Sequence, residues 1–580
     1  MAAVEQLVTD HLDLWTAAIK RRSTAGRGSS RKIELYGIKK LRELILELAV
    51  HGLLVSQAPN DETASQLLKK IAAEKARLLK EGKIKKEKPL PTFEDTEIPF
   101  DIPANWAWVR LGEIGITQTG GTPKKSDSNH YGNDVPFIKP GDIINGEIIS
   151  YENDGLTFDG ATDLGRIAPP DSILMVCIGT IGKCARTDRS VTFNQQINSV
   201  SSYLPIGRYI KQVLQSGYFQ RLAWKNSAST TISILNKGKW EAIPLPLAPL
   251  AEQHRIVAKV DELMALCDQL EAQSDASLSA HQILVETFLS VLTGTGDHAQ
   301  FATAWQRIAE HFDTLFTTEE SIDQLKQTIL QLAVMGKLVP QNLNDESASE
   351  LLKKISAEKI RLVKEKVIRN SRPLAAISES EKFMPLPTGW AFARLHDVGD
   401  WGAGATPSRN SPELYGGSIP WFKSGELVDD YISQSEESVT ELALEKASLR
   451  YNKVGDVLIA MYGATIGKTA ILAVPATTNQ AVCACTPFSG FERTYLLTLL
   501  KAYRPRFIGM GAGGAQPNIS REKIIGTVVA VPPNAEQLRI VAKVDELMAQ
   551  CERIKARLKE TQATQLHLAD ALTEKALARA

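Results

Sequence analysis

Four lysines and two Asn-Gln pairs stand at matched places in the two halves of this chain. Lys139 answers to Lys423, Lys183 to Lys468, Asn194-Gln195 to Asn479-Gln480, and Thr122-Pro123 to Thr406-Pro407. Each type has a defined chemistry toward a polyanion with readable edges. A carboxamide presents a donor beside an acceptor and can pair bidentately with adenine, Arg or Lys can pair with guanine, and a lysine also serves as a point charge for phosphate. Positions shared between the halves suit phosphate, because phosphates carry no sequence. For Lys139, Lys183, Lys423 and Lys468 the competing reading is a solvated loop end. For Asn194 and Asn479 it is an Asx turn that satisfies local backbone, and the turn is the preferred role. Loops rich in the same groups supply further candidates: Gln118, Thr119, Lys124, Lys125, Lys237 and Lys239 in the first half, with Ser408, Arg409, Gln516 and Asn518 in the second. Trp224, Trp240, Trp401 and Trp421 read as core rather than as base-stacking platforms.

Catalytic readings fail on spacing. Gly463 to Thr469 has three residues between its glycines where a phosphate-binding loop needs four, and the matched Gly179 to Cys184 is shorter still. The prolines of Val531-Pro532-Pro533-Asn534 are in the wrong company for a methyltransferase site. No nucleophile elbow or HExxH occurs. Lys plus Arg and Asp plus Glu number 67 each, so net charge favours no polyanion and any nucleic-acid contact has to come from local geometry. Six cysteines without a CxxC pair read as reduced, mostly buried thiols. No apolar run approaches a membrane span, and the amphipathic start is unlike a signal peptide. The expectation is a cytoplasmic protein with no membrane contact.

The frame that positions these residues is duplicated. Glu252 to Met264 (EQHRIVAKVDELM) returns as Glu536 to Met548 (EQLRIVAKVDELM) 284 residues later, and Leu67 to Ile71 returns as Leu351 to Ile355 at the same offset. Ile256, Val260, Leu263, Cys267 and Leu270, then Ile540, Val544, Leu547, Cys551, Ile554 and Leu558, step by four and three as coiled-coil helices do. The stripe of Leu41, Leu44, Ile45 and Leu48 stops at Gly52, and that of Leu325, Ile329 and Leu332 stops at Gly336. The inserts between these strips are rich in short β-branched and aromatic runs broken by Gly, Asn, Asp and Pro. The boundaries read as an N-terminal helical region at 1–104 with a basic loop at 20–32, a β-rich domain at 105–250, central helices at 251–388, a second β-rich domain at 389–533 and a C-terminal helix at 534–580. For the basic loop, phosphate contact and a solvated insertion are equally open.

Helix, variable β-rich domain, EQxRIVAKVDEL helix and their repetition resemble the specificity subunit of type I restriction-modification enzymes over essentially the whole chain. The resemblance implies an α+β tandem pseudo-two-fold repeat of target-recognition domains, separated by long helices that form an antiparallel coiled coil. It implies that each domain reads one half of a split double-stranded DNA target, and that the chain itself is not catalytic and carries no cofactor. Two modification subunits would bring S-adenosylmethionine, and two restriction or motor subunits ATP and Mg. The long helical region before each insert departs from the pattern. A stand-alone sequence-specific or architectural DNA-binding protein is the alternative, and a pure coiled-coil adaptor a third class.

Overall fold

A computed structural model describes residues 10–21, 33–86, 89–93, 97–124, 128–144, 148–228, 232–295, 298–511 and 517–578. Almost all of the basic loop at 20–32, together with Lys125 and Gln516, lies outside the described residues. The chain divides into two compact units, residues 1–278 with 561–580, and residues 279–560.

In the first unit, α1 (Tyr36–Val50) buries Leu41, Leu44, Ile45 and Leu48 and ends at Gly52, whose φ of +75° accounts for the glycine. α2 (Ala64–Lys80) opens where Gln66 Oε1 accepts from the Thr63 N–H at 2.9 Å. The β-rich domain then runs through β1 (Ala107–Arg110), β2 (Gly115–Thr119), β3 (Tyr131–Ile138), β4 (Ile173–Val176), β5 (Cys184–Arg186), β6 (Val191–Phe193) and β7 (Ile197–Ser202). Helices α3 (Gly207–Gln215), α4 (Gly217–Lys225) and α5 (Lys237–Glu241) lead to β8 (Pro244–Leu247). One antiparallel sheet has the order β5-β4-β7-β2. In the other sheet β3 and β6 run parallel. The chain crosses from one sheet to the other between β6 and β7, at Asn194 to Gln196. β1 pairs with β8, so the domain is entered and left by adjacent strands. The long helix α6 (Leu250–Gly294) follows, 45 residues or about 68 Å at about 1.5 Å per residue.

The second unit repeats the plan. After α7 (Glu319–Val334) and α8 (Ala348–Lys364) come β9 (Ala391–Arg394), β10 (Gly399–Ala403), β11 (Tyr415–Phe422), β12 (Val457–Ala460), β13 (Thr469–Leu472), β14 (Thr477–Thr478) and β15 (Val482–Pro487). Helices α9 (Arg493–Ala502), α10 (Arg504–Gly511) and α11 (Arg521–Ile525) precede β16 (Val528–Val531) and α12 (Asn534–Ala578). The main sheet has the order β10-β15-β12-β13 and adds Tyr431–Ile432 at its edge; β11 and β14 pair in parallel, and β9 pairs with β16. The α+β class expected from sequence is the observed one, with two β-rich domains and a long helix between them. The stretch 251–388 is shared, because α6 begins in the first unit and its last turns belong to the second. α12 begins in the second unit, and its last turns, with fully buried Ala569, join the core of the first.

The near-identical strips are explained by a buried clamp. Glu252, Gln253, Glu536 and Gln537 are at most 1% exposed. Gln57 Nε2 donates to Glu252 at 2.6 Å; Gln341 Nε2 and Trp390 Nε1 donate to Glu536 at 3.2 and 3.0 Å. Gln253 and Gln537 donate to the carbonyls of Ala248 and Pro532 just before each long helix. Arg255 pairs with Asp61 and Arg539 with Asp345, each at 2.6 Å. Burial pushes the Glu252 and Glu536 carboxyls above their ordinary pKa. Each short helix also ties two long-helix segments together. α1 meets α6 through Arg42 with Asp268 and Glu271, and α12 through Tyr36 with Asp570 at 2.8 Å. In the second unit α7 meets α12 through Lys326 with Glu552 and Asp323 with Lys555, and α6 through Gln324 with Glu286.

Candidate nucleic-acid interface

Both β-rich domains build the same loop cluster where the two sheets meet. After β2, the N–H groups of Gly120 and Gly121 donate to the carbonyls of Ile197 and Phe193 at 3.0 Å; after β10, Gly404 and Ala405 donate to Val482 and Thr478 at 3.0 Å. Such close backbone approach excludes a side chain. A Cβ on Gly120 would lie 2.1 Å from the Asn194 oxygen, and one on Gly404 2.2 Å from the Thr478 oxygen. The following Thr-Pro segment is held from two sides. Thr122 Oγ1 donates to Gln195 Oε1 at 2.6 Å, and Thr406 makes the same bond to Gln480. Tyr131 Oη donates to the Pro123 carbonyl at 2.8 Å, and Tyr415 to that of Pro407 at 2.6 Å.

Asn194 and Asn479 are turn residues. Their Oδ1 atoms accept from the N–H groups of Gln196 and Ala481, each at 3.1 Å, and their own N–H groups bind Ile138 and Phe422. Gln195 and Gln480 are exposed beside them, so the carboxamides available to a ligand are the glutamines. Lys124, Thr122, Thr406 and Ser408 are also exposed on these loops.

The matched lysines divide into two classes. Lys139 pairs with Asp154 at 2.6 Å, and Lys423 with Glu437 at 2.7 Å and Glu436 at 3.2 Å. Glu437 also holds Arg409, whose guanidinium lies 4.6 and 5.2 Å from the rings of Tyr415 and Trp421. Hydrogen bonds from Arg409 and Lys423 hold the half-buried Glu437 carboxyl at a pKa of about 2. A phosphate approaching Lys139, Lys423 or Arg409 therefore competes with a resident carboxylate. Lys183 is exposed and Lys468 half-buried, and neither has a carboxylate partner among the described residues. They follow Gly182 and Gly467, which take φ of +103° and +80° in hairpin turns, where the Val176 and Ala460 N–H groups donate to the Lys183 and Lys468 carbonyls. That geometry is a strand connection and not a phosphate cradle.

Four other candidates are occupied within the fold. Gln118 donates to the Ile167 carbonyl, Thr119 to Asn198 at 2.8 Å, Lys237 to Glu241 at 2.9 Å and Lys239 to the Asn226 carbonyl at 3.1 Å. Asn518 is exposed, in a bridge with Tyr462. Trp240, Trp401 and Trp421 are buried as expected, but Trp224 is 47% exposed and corrects the core assignment. It sits at the end of α4, close in sequence to exposed Ile232 and Ile234. The loop-anchoring Tyr131, Tyr415 and Glu437 carry no candidate role from sequence, although the 284-residue offset matches the two tyrosines. Among the described residues no cluster of His, Cys, Asp or Glu could hold a metal, and no helix is long and apolar enough to cross a membrane.

Gly404→Ala is expected to break up the second domain's loop cluster while the first domain's persists, since the new methyl would lie 2.2 and 2.4 Å from the Thr478 and Asn479 carbonyl oxygens and 2.3 Å from Thr478 Oγ1. Amide hydrogen exchange reads this as lost protection at residue 404 and Ala405 with Gly120 and Gly121 still protected; unchanged protection in the second domain would refute the close-packed cluster.

Comparison with known proteins agrees with this architecture. Residues 103–280 and 387–562 each match the family model described as the type I restriction modification DNA specificity domain. The EcoAI specificity subunit of Escherichia coli is 39% identical over 99% of this chain and all of its own length, and the EcoEI specificity subunit of the same organism 37% identical over the same shares. The solved structure of an HsdS subunit from Thermoanaerobacter tengcongensis covers 83% of the chain and 99% of its own at 19% identity, with a TM-score of 0.42. With both inserts and the first two-thirds or so of each long helix inside the matched spans, the chain belongs to the type I restriction-modification DNA specificity family.

Proposed function

We propose that this chain is the DNA-specificity subunit of a type I restriction-modification complex, with each β-rich domain reading one half of a bipartite double-stranded DNA target. The observation that carries the reading is the duplicated frame around dissimilar inserts. The clamp residues coincide at an offset of 284 and the loop backbones at 284 or 285, while most other exposed loop side chains differ, as two readers of different half-sites require. The long helices set the distance between half-sites and provide surfaces for partners. Two modification subunits would supply S-adenosylmethionine and adenine methylation, and two restriction subunits ATP, Mg and motor activity. This chain itself supplies recognition and no catalysis, in the cytoplasm where such a complex meets DNA.

The zero net charge favours a subunit over a stand-alone DNA-binding protein. Phosphate neutralisation dominates non-specific affinity, so most of the cationic clamp belongs on partner subunits. Gel-shift titration with and without the modification subunit tests this directly: tight, specific binding should require the complex. Tight specific binding by the isolated chain would favour the stand-alone reading.

Lys183 and Lys468 are the matched lysines with no resident carboxylate, and therefore the best placed for phosphate. The double replacement Lys183→Ala with Lys468→Ala is expected to weaken the assembled methyltransferase on all DNA sequences. It should flatten the dependence of log affinity on log salt by at most about two units, roughly one per phosphate contact. Unchanged non-specific affinity with relaxed bases in one half-site would make these lysines sequence readers.

A further inference from the structure

Within the second unit, α8, the segment 370–377 and β9 with the residues after it line a half-open pocket of about 500 Å³, a size typical of small-molecule sites. Its apolar walls include Leu352, Ile360, Val363, Leu374, Ile377 and Phe392. The polar end is tightly organised. His396, 8% exposed, places Nε2 2.9 Å from Ser371 Oγ and Nδ1 2.9 Å from Asp397 Oδ1, so both ring nitrogens are engaged. Lys359 lies against this ring, with Nζ 3.3 Å from each nitrogen and 3.4 Å from the His396 carbonyl. It has no carboxylate within ion-pair distance among the described residues. Burial lowers the Lys359 pKa against the opposing attraction of Asp397 and Asp400, neither of which contacts the ammonium directly.

The first unit lacks this arrangement. Gly112 stands where His396 does, with the Leu90 methyl 3.1 Å from the place its Cβ would take, and Lys75, at the position of Lys359, lies 5.8 Å from the Tyr203 ring centre. The histidine at the polar end is therefore a property of one copy and is not required by the repeated frame.

We propose that this cavity binds a small amphipathic carboxylate, with its hydrocarbon body against the apolar walls and its carboxylate on Lys359. The carboxylate gives the half-buried ammonium a counter-charge in direct contact, which Asp397 and Asp400 do not, and the Ser371–His396–Asp397 chain fixes the polar wall it faces. Occupancy would fasten the 370–377 segment to α8.

Octanoate is the probe, titrated calorimetrically into the full-length chain, with octan-1-ol and octyl phosphate as comparisons. The expected result is one octanoate per chain, bound about tenfold or more tighter than octan-1-ol, a ratio set by one charge-assisted contact. Lys359→Met should lose that margin and Lys75→Met should keep it. Ser356→Trp, an exposed helix position lining the cavity, should block binding without disturbing the fold, checked by an unchanged circular dichroism spectrum. Absence of octanoate binding, or binding indifferent to Lys359→Met and Ser356→Trp, overturns the proposal. Tighter binding of octyl phosphate overturns the carboxylate assignment.

Discussion

Replacing residues 105–250 by the corresponding domain of another family member is expected to change one half of the methylated DNA sequence completely and leave the other half unaltered. The domain is entered through β1 and left through β8, which pair side by side, so its ends are adjacent and fixed by the frame. Glu252, Gln253 and Arg255, with Gln57 and Asp61, lie outside the exchanged segment, and the Gln253 acceptor inside it is a backbone carbonyl, that of Ala248. A transplanted domain therefore meets the same helix with the same hydrogen bonds. Under the proposed function, sequencing of methylated bases in cells carrying the chimera and a modification subunit gives both half-sites at once. If both halves change, the domains do not read independently and the two-reader description fails.

The second large effect is on stability, at the buried clamp. Glu536→Ala strands the Trp390 Nε1 donor in a site that is 1% exposed at its centre, while Gln341 keeps its bond to the Gly336 carbonyl at 2.7 Å, and the loss should be about 2 kcal/mol, from one unsatisfied buried donor at about 1–3 kcal/mol. Urea unfolding of the complete chain measures it; a change below about 1 kcal/mol would show that the Trp390 donor finds another partner. Glu536→Gln isolates the charge. Burial raises the folded-state pKa of Glu536, so its contribution is fully present below the unfolded-state pKa and is lost as pH rises through the folded-state pKa. Between about pH 4.5 and neutrality the wild-type chain should lose stability relative to the Gln variant. A pH-independent difference would place the carboxylate's burial cost elsewhere.

The frame was legible because its signals are local and periodic. The heptads of α6 and α12, the stripes ending at Gly52 and Gly336, and the clustered short strands each follow from spacing alone. The turn role of Asn194 and Asn479 was legible for a similar reason, since an Asx turn closes within two residues. Ion pairs across loops were not. Lys139 finds Asp154 after 15 residues and Lys423 finds Glu437 after 14, through connections whose course no periodicity fixes. Arg409 between Glu437 and two aromatic rings depends on the same loop paths. Trp224 misled because α4 is amphipathic and hydrophobic type does not say which face a tryptophan takes; Phe219 and Ala223 occupy the buried one.

Ala569 belongs to the same core as Trp15 and Leu41. During synthesis, the first unit leaves the ribosome without the last piece of its own interior. About 280 residues of the second unit must be made before 561–580 appear, an interval of roughly a quarter of a minute to a minute at about 5–20 residues per second. Throughout that time the side of α1 that carries Tyr36 and Lys40 waits for the helix bearing Asp570. Completion of the first unit thus waits on residues 561–578, and a chain stopped before them would leave both β-rich domains made and the helical part of the first unit unsealed.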